Sequence, residues 1–189
     1  MKELSGLASD YLEDIDILEE AKETLRKELA EWWKDLSEAS SDEFSRLKKE
    51  NKLGDPVEED KWIHGSGKNE MCLRLWLNKK QFPLFLSIED PITVKGRDYR
   101  LILKVTSKPE LTKLKKDPTF VKLVNKKAKE AGLEGLEELD WARTSLATHD
   151  VRVVPNKPEA TKQSLIKAVG TIAQIVIAAY QLKASKQTS

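Results

Sequence analysis

A regular run of apolar residues near the beginning of the chain limits the folds that it can adopt. Ten positions, separated alternately by four and three residues, hold nine apolar or aromatic side chains and one lysine: Leu4, Ala8, Tyr11, Ile15, Leu18, Lys22, Leu25, Leu29, Trp32 and Leu36. Helices that pack along a seam have this spacing. It predicts one long helix over about residues 2–39, in which Lys22 sets the register at a cost in stability.

The residues that flank this seam argue against a simple parallel pair of such helices. Four apolar side chains widen the stripe on either side of the seam: Leu7, Leu12, Ala21 and Trp33. In a parallel pair Asp14 would face Glu19 of the partner, which places two negative charges together. A stripe this wide is typical of a helix that packs against more than one neighbour, in a bundle or on a sheet. The pattern therefore predicts helix packing and leaves the partner open.

The net charge of +1 hides an uneven distribution along the 189 residues. Residues 1–60 hold 19 acidic and 9 basic side chains, a net charge of −10, whereas the remainder holds 13 acidic and 24 basic side chains, a net charge of +11. Such an asymmetry indicates attraction between the two parts, within one chain or between chains, or binding of the basic part to an external polyanion. We favour the first interpretation.

The cysteine content and the apolar runs bear on the compartment. Cys72 is the single cysteine, so no intrachain disulfide can form, and no apolar leader with a cleavage site opens the sequence. We therefore expect a cytoplasmic protein. The most apolar stretch, residues 168–182, is interrupted by Gly170, Thr171 and Gln174. It falls short of the roughly 18–20 apolar residues that span a bilayer, so no membrane partner is expected.

The spacing of apolar residues changes after the first helix. A second, shorter helix is predicted from Ser41 or Asp42, either of which can cap it, to about residue 52, and a linker follows at 54–61. Alternating apolar residues then predict two antiparallel hairpins, with strands at about 71–77 and 82–88 and at about 92–95 and 99–105.

Helical spacing returns in the second half of the chain. Pro109 and Pro118 each fit the first turn of a short helix, and Gly132 ends the second of these helices. A last strand is expected within residues 143–154. A long helix, apolar nearly all round, is predicted over about residues 158–183.

This order of elements predicts an α+β fold. We expect a four- to five-stranded, mostly antiparallel sheet packed by helices, with a long heptad-patterned N-terminal helix and a long apolar C-terminal helix. The predicted organisation is an acidic helical region of a long and a short helix at 1–53, a linker at 54–61, an α+β domain at 62–183 and a frayed tail at 184–189.

Known chemical motifs are incomplete in this sequence. Residues 64–68 resemble half of a phosphate-binding loop, but Trp62 and Asn69 stand where that motif needs a glycine and a serine or threonine. His64, His149 and Cys72 lack the paired spacing of metal ligands, so no metal or other cofactor is expected.

Carboxylates near one predicted strand end are the best candidates for catalysis. Glu89 and Asp90 end this strand, yet Ile102 stands where a metal-dependent nuclease would place an acid two residues before Lys104. A turn explains the two acids without catalysis. Glu89, Asp90 and His149 are nevertheless the residues that an enzyme hypothesis would test first.

A basic segment offers a different candidate site. Residues 108–129 hold 8 lysines and 2 acids, a net charge of +6. The possible polyanion-binding residues are Lys113, Lys115, Lys116, Lys122, Lys126 and Lys129. The last three share one face of a predicted helix and lack the bidentate arginines that read bases. The alternative interpretation is a solvated face, or a docking surface for the acidic N-terminal helix.

Three functions follow, in order of preference. The first is a non-enzymatic assembly or adaptor module that acts through helix packing and self-association, with the N-terminal seam as its interaction surface. The C-terminal helix supports this, because an apolar helix must be buried by its own domain or by a second copy. The alternative is a sequence-nonspecific nucleic-acid-binding accessory protein that uses the lysine-rich face. A hydrolase with an unrecognised site comes third.

Overall fold

The computed structural model describes residues 6–53, 57–62, 72–89, 98–132, 139–154 and 157–187. Within them the elements are α1 (Gly6–Glu50), β1 (Val57–Trp62), β2 (Cys72–Leu77), β3 (Leu84–Glu89), β4 (Asp98–Val105), α2 (Lys108–Lys115), α3 (Pro118–Glu130), β5 (Ser145–Arg152) and α4 (Pro158–Gln187). The strands form one antiparallel sheet in the order β1-β2-β3-β4-β5. The predicted α+β class and strand number are confirmed.

The sheet owes its register to the alternation of apolar residues. Leu75 pairs with Leu86, and Leu86 pairs with Leu103, so that three fully buried leucines form a row across β2, β3 and β4. Successive side chains of a strand point to opposite faces. We call the face that carries these leucines the helix face, and the opposite face the outer face.

The turn between β2 and β3 depends on one residue in a left-handed conformation. Asn78 has a φ of 52°, which asparagine tolerates better than most residues. Its carbonyl accepts hydrogen bonds from the backbone N–H groups of Gln81 and Phe82. The turn therefore closes tightly and sends Phe82 back into the core, where it is 1% exposed.

The α4 helix covers the helix face of the sheet. It contacts β2, β3, β4 and β5, and it packs against α3 on another side. Its central residues are almost completely buried: Leu165, Ala168, Val169, Ile172, Ala173, Ile175, Val176, Ile177 and Ala179. By length and composition α4 could cross a membrane, but 56% of its most apolar window is buried within the fold. Its apolar character is thus accounted for by its place in the core.

Two short capped helices lie between β4 and β5. Ser107 caps α2 by accepting the N–H of Glu110, and Asp117 caps α3 by accepting the N–H groups of Thr119 and Phe120. As predicted, a proline occupies the first turn of each helix. The buried side of α3 carries Phe120, Val124 and Ala128, and α3 contacts α4.

The structure differs from the predicted helix break near residues 39–41. The α1 helix continues to Glu50, and Ser41 and Asp42 lie inside it. Leu36, Ser40, Phe44 and Leu47, spaced by four, four and three residues, form a buried face of the helix, and this burial favours a continuous helix. The Ser40 hydroxyl donates to the carbonyl of Leu36 instead of starting a new helix.

A strand also lies where the linker at 54–61 was predicted. β1 pairs with the edge of β2 along its whole length, from Val57 opposite Leu77 to Trp62 opposite Cys72. At the other end of the chain α4 continues to Gln187, into the tail predicted to fray from residue 184. The strand predicted at 92–95 lies outside the described residues.

The chain divides into two compact units, Met1–Asp35 and Leu36–Ser189. The first contains the beginning of α1, including most of the seam. The second, which we call the body, contains the sheet, α2, α3, α4 and the end of α1.

Candidate functional site

The first candidate site is the seam of α1. Leu18 is 68% exposed and the adjacent Ile17 is 63% exposed. Ile15 and Trp32 are half-buried, and Leu36 is fully buried in the body. Leu4 and the side chains of Tyr11, Lys22, Leu25 and Leu29 lie outside the described residues. The described seam is thus exposed at Leu18 and buried at Leu36.

Ile17, Ala21 and Thr24 of α1 line one shallow depression with Glu20 and Glu28. Across the described residues, Ile17, Leu18 and Val154 are the large apolar side chains that are exposed. Two of these three, Ile17 and Leu18, are adjacent in α1.

The second candidate site forms where three distant segments meet at one end of the body. Lys183, near the end of α4, donates to the carbonyl oxygen of Gln81 in the β2–β3 turn at 2.5 Å. One turn later in α4, the Lys186 ammonium lies 2.5 Å from the carboxylate of Asp117, the N-cap of α3. The β2–β3 turn, the α2–α3 junction and the end of α4 are therefore adjacent.

This meeting point is strongly basic. We call it the basic end and define it by Lys79, Lys80, Lys115, Lys116, Lys183 and Lys186. Lys183 is half-buried and the other five are exposed. Lys186 and the backbone N–H groups of Phe120 and Thr119 hold the pKa of Asp117 below its usual value, so this carboxylate stays ionised. Together the six lysines and Asp117 carry a net charge of +5.

The residues predicted to bind polyanions are only partly in this cluster. Lys115 and Lys116 belong to it, whereas Lys113 pairs with Glu110 at 2.6 Å. Lys122, Lys126 and Lys129 are exposed along α3. Lys126 lies 3.6 Å from Glu130, which also pairs with Lys127 at 2.9 Å. Glu130 thus reduces the positive charge at the end of the predicted lysine stripe on α3.

Sequence reasoning missed four lysines of the basic end. Lys79 and Lys80 follow β2, and Lys183 and Lys186 lie about 100 residues later in α4. The sequence carries no local signal for their proximity, because it arises from the packing of α4 along the sheet. The lysine pair at a hairpin turn was the one feature that could have suggested a basic surface there.

The outer face of the sheet carries a third group of polar residues. Glu89 and Lys104 form a salt bridge of 2.9 Å. In the β3–β4 register they lie on either side of the pair Ser87 and Ile102, which are 0% and 5% exposed. The two long side chains therefore lie across this pair. The arrangement covers the middle of the outer face and leaves Glu89 engaged by a cation.

Glu89 and His149, two residues of the enzyme hypothesis, lie on opposite faces of the sheet. His149 pairs with Leu101 in the register, which places it on the helix face, whereas Glu89 lies on the outer face. His64 and Asp90 lie outside the described residues, as does the loop at 64–68. Among the described residues no three His, Cys, Asp or Glu side chains are grouped to hold a metal ion.

Cys72 on the outer face gives a direct test of burial. Its thiol is 4% exposed and lies 3.6 Å from the Ser87 hydroxyl. Burial raises the pKa of the thiol, although the contact with Ser87 opposes this shift. We expect iodoacetamide to alkylate the folded protein slowly at neutral pH and much faster in urea, because the reactive thiolate is scarce and inaccessible. Equal rates in both conditions, measured by mass spectrometry, would contradict this burial.

No protein-family model, curated protein or solved structure matches this chain.

Proposed function

We propose that this protein is a non-enzymatic, cytoplasmic assembly module that associates with a second copy through the helix of the unit Met1–Asp35. The adjacent exposure of Ile17 and Leu18 carries the proposal. Leu18 occupies a seam position of the four-three pattern, so its exposure leaves a seam layer without a partner. Burial of two such side chains contributes about 1.5–3 kcal/mol each.

The length of the apolar stripe favours a second copy as the partner. Residues 6–35 are helical, which corresponds to about 45 Å at 1.5 Å per residue. A surface that long needs a partner of similar length, and a second copy provides the same stripe. A parallel pair would bring Asp14 close to Glu19 of the partner, so the flanking charges disfavour that orientation.

The net charge of the N-terminal helix predicts how its self-association depends on salt. Residues 1–35 hold 11 acidic and 5 basic side chains, a net charge of −6. Two such helices repel each other, and salt screens this repulsion. Association through the apolar seam should therefore strengthen as the salt concentration rises.

The test is the mass of the protein in solution. Leu18→Asp should convert an oligomer to the 21.5 kDa monomer, because the association would bury an unpaired charge. The melting temperature of the body should change little, since Leu18 is exposed. Light scattering coupled to gel filtration measures the mass, and circular dichroism measures the melting.

Lys27→Gln provides the charge-matched control. Lys27 is an exposed residue of the same helix that does not line the depression, so the variant lowers the net charge by one, as Leu18→Asp does, without removing an apolar side chain. We expect it to remain an oligomer. A monomeric wild-type protein, or an unchanged mass for Leu18→Asp, would refute self-association through this helix.

A further inference from the structure

We propose that the basic end of the body binds the phosphate backbone of double-stranded nucleic acid without reading its sequence. This inference is independent of self-association through α1. It rests on the convergence of three chain segments on one surface, and not on the lysine-rich segment alone.

The convergence is held by specific contacts. Phe82 of the β2–β3 turn packs edge-on against Tyr180 of α4, with ring centroids 5.2 Å apart, and against Phe120 of α3 at 6.5 Å. These contacts position Lys80 beside the end of α4, because Gln81 is the residue that Lys183 binds. The segments that carry the lysines of the basic end are therefore held together by contacts beneath the surface.

Three of its six lysines carry charge that is available to a ligand, whereas Lys79 lies 4.5 Å from the centroid of the Trp76 ring. Lys183 binds a backbone carbonyl and not a carboxylate. Lys80, Lys115 and Lys116 have no ion pair with another residue in the described part of the chain. Ammonium groups of this kind neutralise phosphates and release counterions, which is the main source of sequence-independent affinity for nucleic acid.

The composition of the basic end points to phosphates and not to bases. Its cations are all lysines, whereas base edges and carboxylates are preferentially bound by the planar fork of arginine. The nearby rings of Phe82 and Phe120 are 1% and 2% exposed and that of Tyr180 is half-buried against Phe82, so none of these three rings is fully exposed for stacking with unpaired bases. A duplex, in which the phosphates are exposed and the bases are stacked, fits this chemistry better than a single strand.

A membrane surface fits less well. Peripheral membrane sites combine basic residues with exposed apolar side chains that enter the lipid. The large apolar side chains that are exposed in the described residues are Ile17, Leu18 and Val154, and none belongs to the basic end.

The experiment measures binding of the full-length protein to a short fluorescein-labelled DNA duplex of mixed sequence by fluorescence anisotropy. We expect binding at about 50 mM salt that weakens steeply by about 200 mM, because each phosphate contact adds about 0.9 to the slope of log K against log salt. In Lys80→Gln/Lys115→Gln/Lys116→Gln, the slope should fall by about 2.7 and the Kd at low salt should rise about tenfold or more.

Three lysines at the far end of α4 provide the matched control. Lys157→Gln/Lys162→Gln/Lys167→Gln removes the same charge at positions at least about 24 Å along the helix from Lys183, and it should retain the slope and most of the affinity. Circular dichroism verifies that both variants are folded.

Three results would overturn the proposal. In the first, the wild-type protein does not bind the duplex at low salt. In the second, the control variant loses as much affinity as the triple variant of the basic end. In the third, the protein sediments with phosphatidylserine vesicles but does not bind the duplex. The salt dependence also separates this proposal from self-association, because salt should weaken duplex binding and strengthen the helix pairing.

Discussion

Val176→Asp should abolish cooperative folding of the body under conditions in which the wild-type protein is folded. Val176 is 0% exposed in the central part of α4, the helix that contacts four of the five strands. A carboxylate there would be buried without a partner, or would force α4 away from the sheet. We expect a loss of more than about 4 kcal/mol, against a total stability of about 5–15 kcal/mol for a domain.

Urea unfolding followed by far-ultraviolet circular dichroism measures this loss. Gln174→Asp is the control, because Gln174 is exposed two residues earlier in the same helix. It should reduce stability only slightly. If Val176→Asp unfolds at the same urea concentration as the wild-type protein, α4 is not the core helix of this domain.

The sheet and the core were the parts of the fold that the sequence could predict. Leucines alternate along β2, and similar alternation marks β3 and β4, so the period of two was readable before any contact was known. The prolines predicted in the first turns of two helices, Pro109 and Pro118, likewise lie in the first turns of α2 and α3. In each case a local preference agrees with the tertiary packing.

β1 and the middle of α1 were not predictable for opposite physical reasons. The β1 sequence from Val57 to Trp62 contains four consecutive charged residues, so it has no apolar period, and it becomes a strand through pairing with the edge of β2. In α1, Ser41 and Asp42 are good caps, but the burial of Phe44 and Leu47 outweighs this local preference.

One of the two candidate surfaces could be predicted from the sequence and the other could not. The seam of α1 is local, so its spacing could be read directly, and the structure adds that Leu18 is exposed. The basic end depends on contacts between residues about 70 to 100 positions apart, such as Lys186 with Asp117 and Lys183 with Gln81. These contacts arise because α4 packs along the sheet, and this packing cannot be inferred from the positions of the lysines in the sequence.

The positive charge of the chain after residue 60 is also better explained by this topology. The excess is not spread evenly over the body, because the basic end has six lysines and one acid, Asp117. Like charges held close together raise the electrostatic energy of the folded state. Apolar contacts must offset that cost, and Phe82 provides two of them, with Tyr180 and Phe120.

Phe82→Ala should therefore destabilise the body and weaken the basic end together. The Phe82 ring is 1% exposed, packs against Tyr180 and Phe120, and lies 5.8 Å from the Lys183 ammonium. Removal of a buried phenyl ring costs about 3–5 kcal/mol, because both apolar burial and packing are lost. Urea unfolding measures the stability, and duplex anisotropy measures the affinity of the remaining folded protein.

Phe82→Leu separates the two effects, since it keeps much of the apolar volume and loses the edge-to-face ring contacts. We expect it to cost less than half as much stability as Phe82→Ala and to retain the position of the β2–β3 turn beside α4. Its duplex affinity should then stay close to that of the wild-type protein. If Phe82→Ala loses less than about 1 kcal/mol, the aromatic contacts do not hold this end of the body together. If both variants lose duplex affinity but keep the stability of the wild-type protein, the ring itself contributes to binding, and the lysines that it positions do not account for the loss.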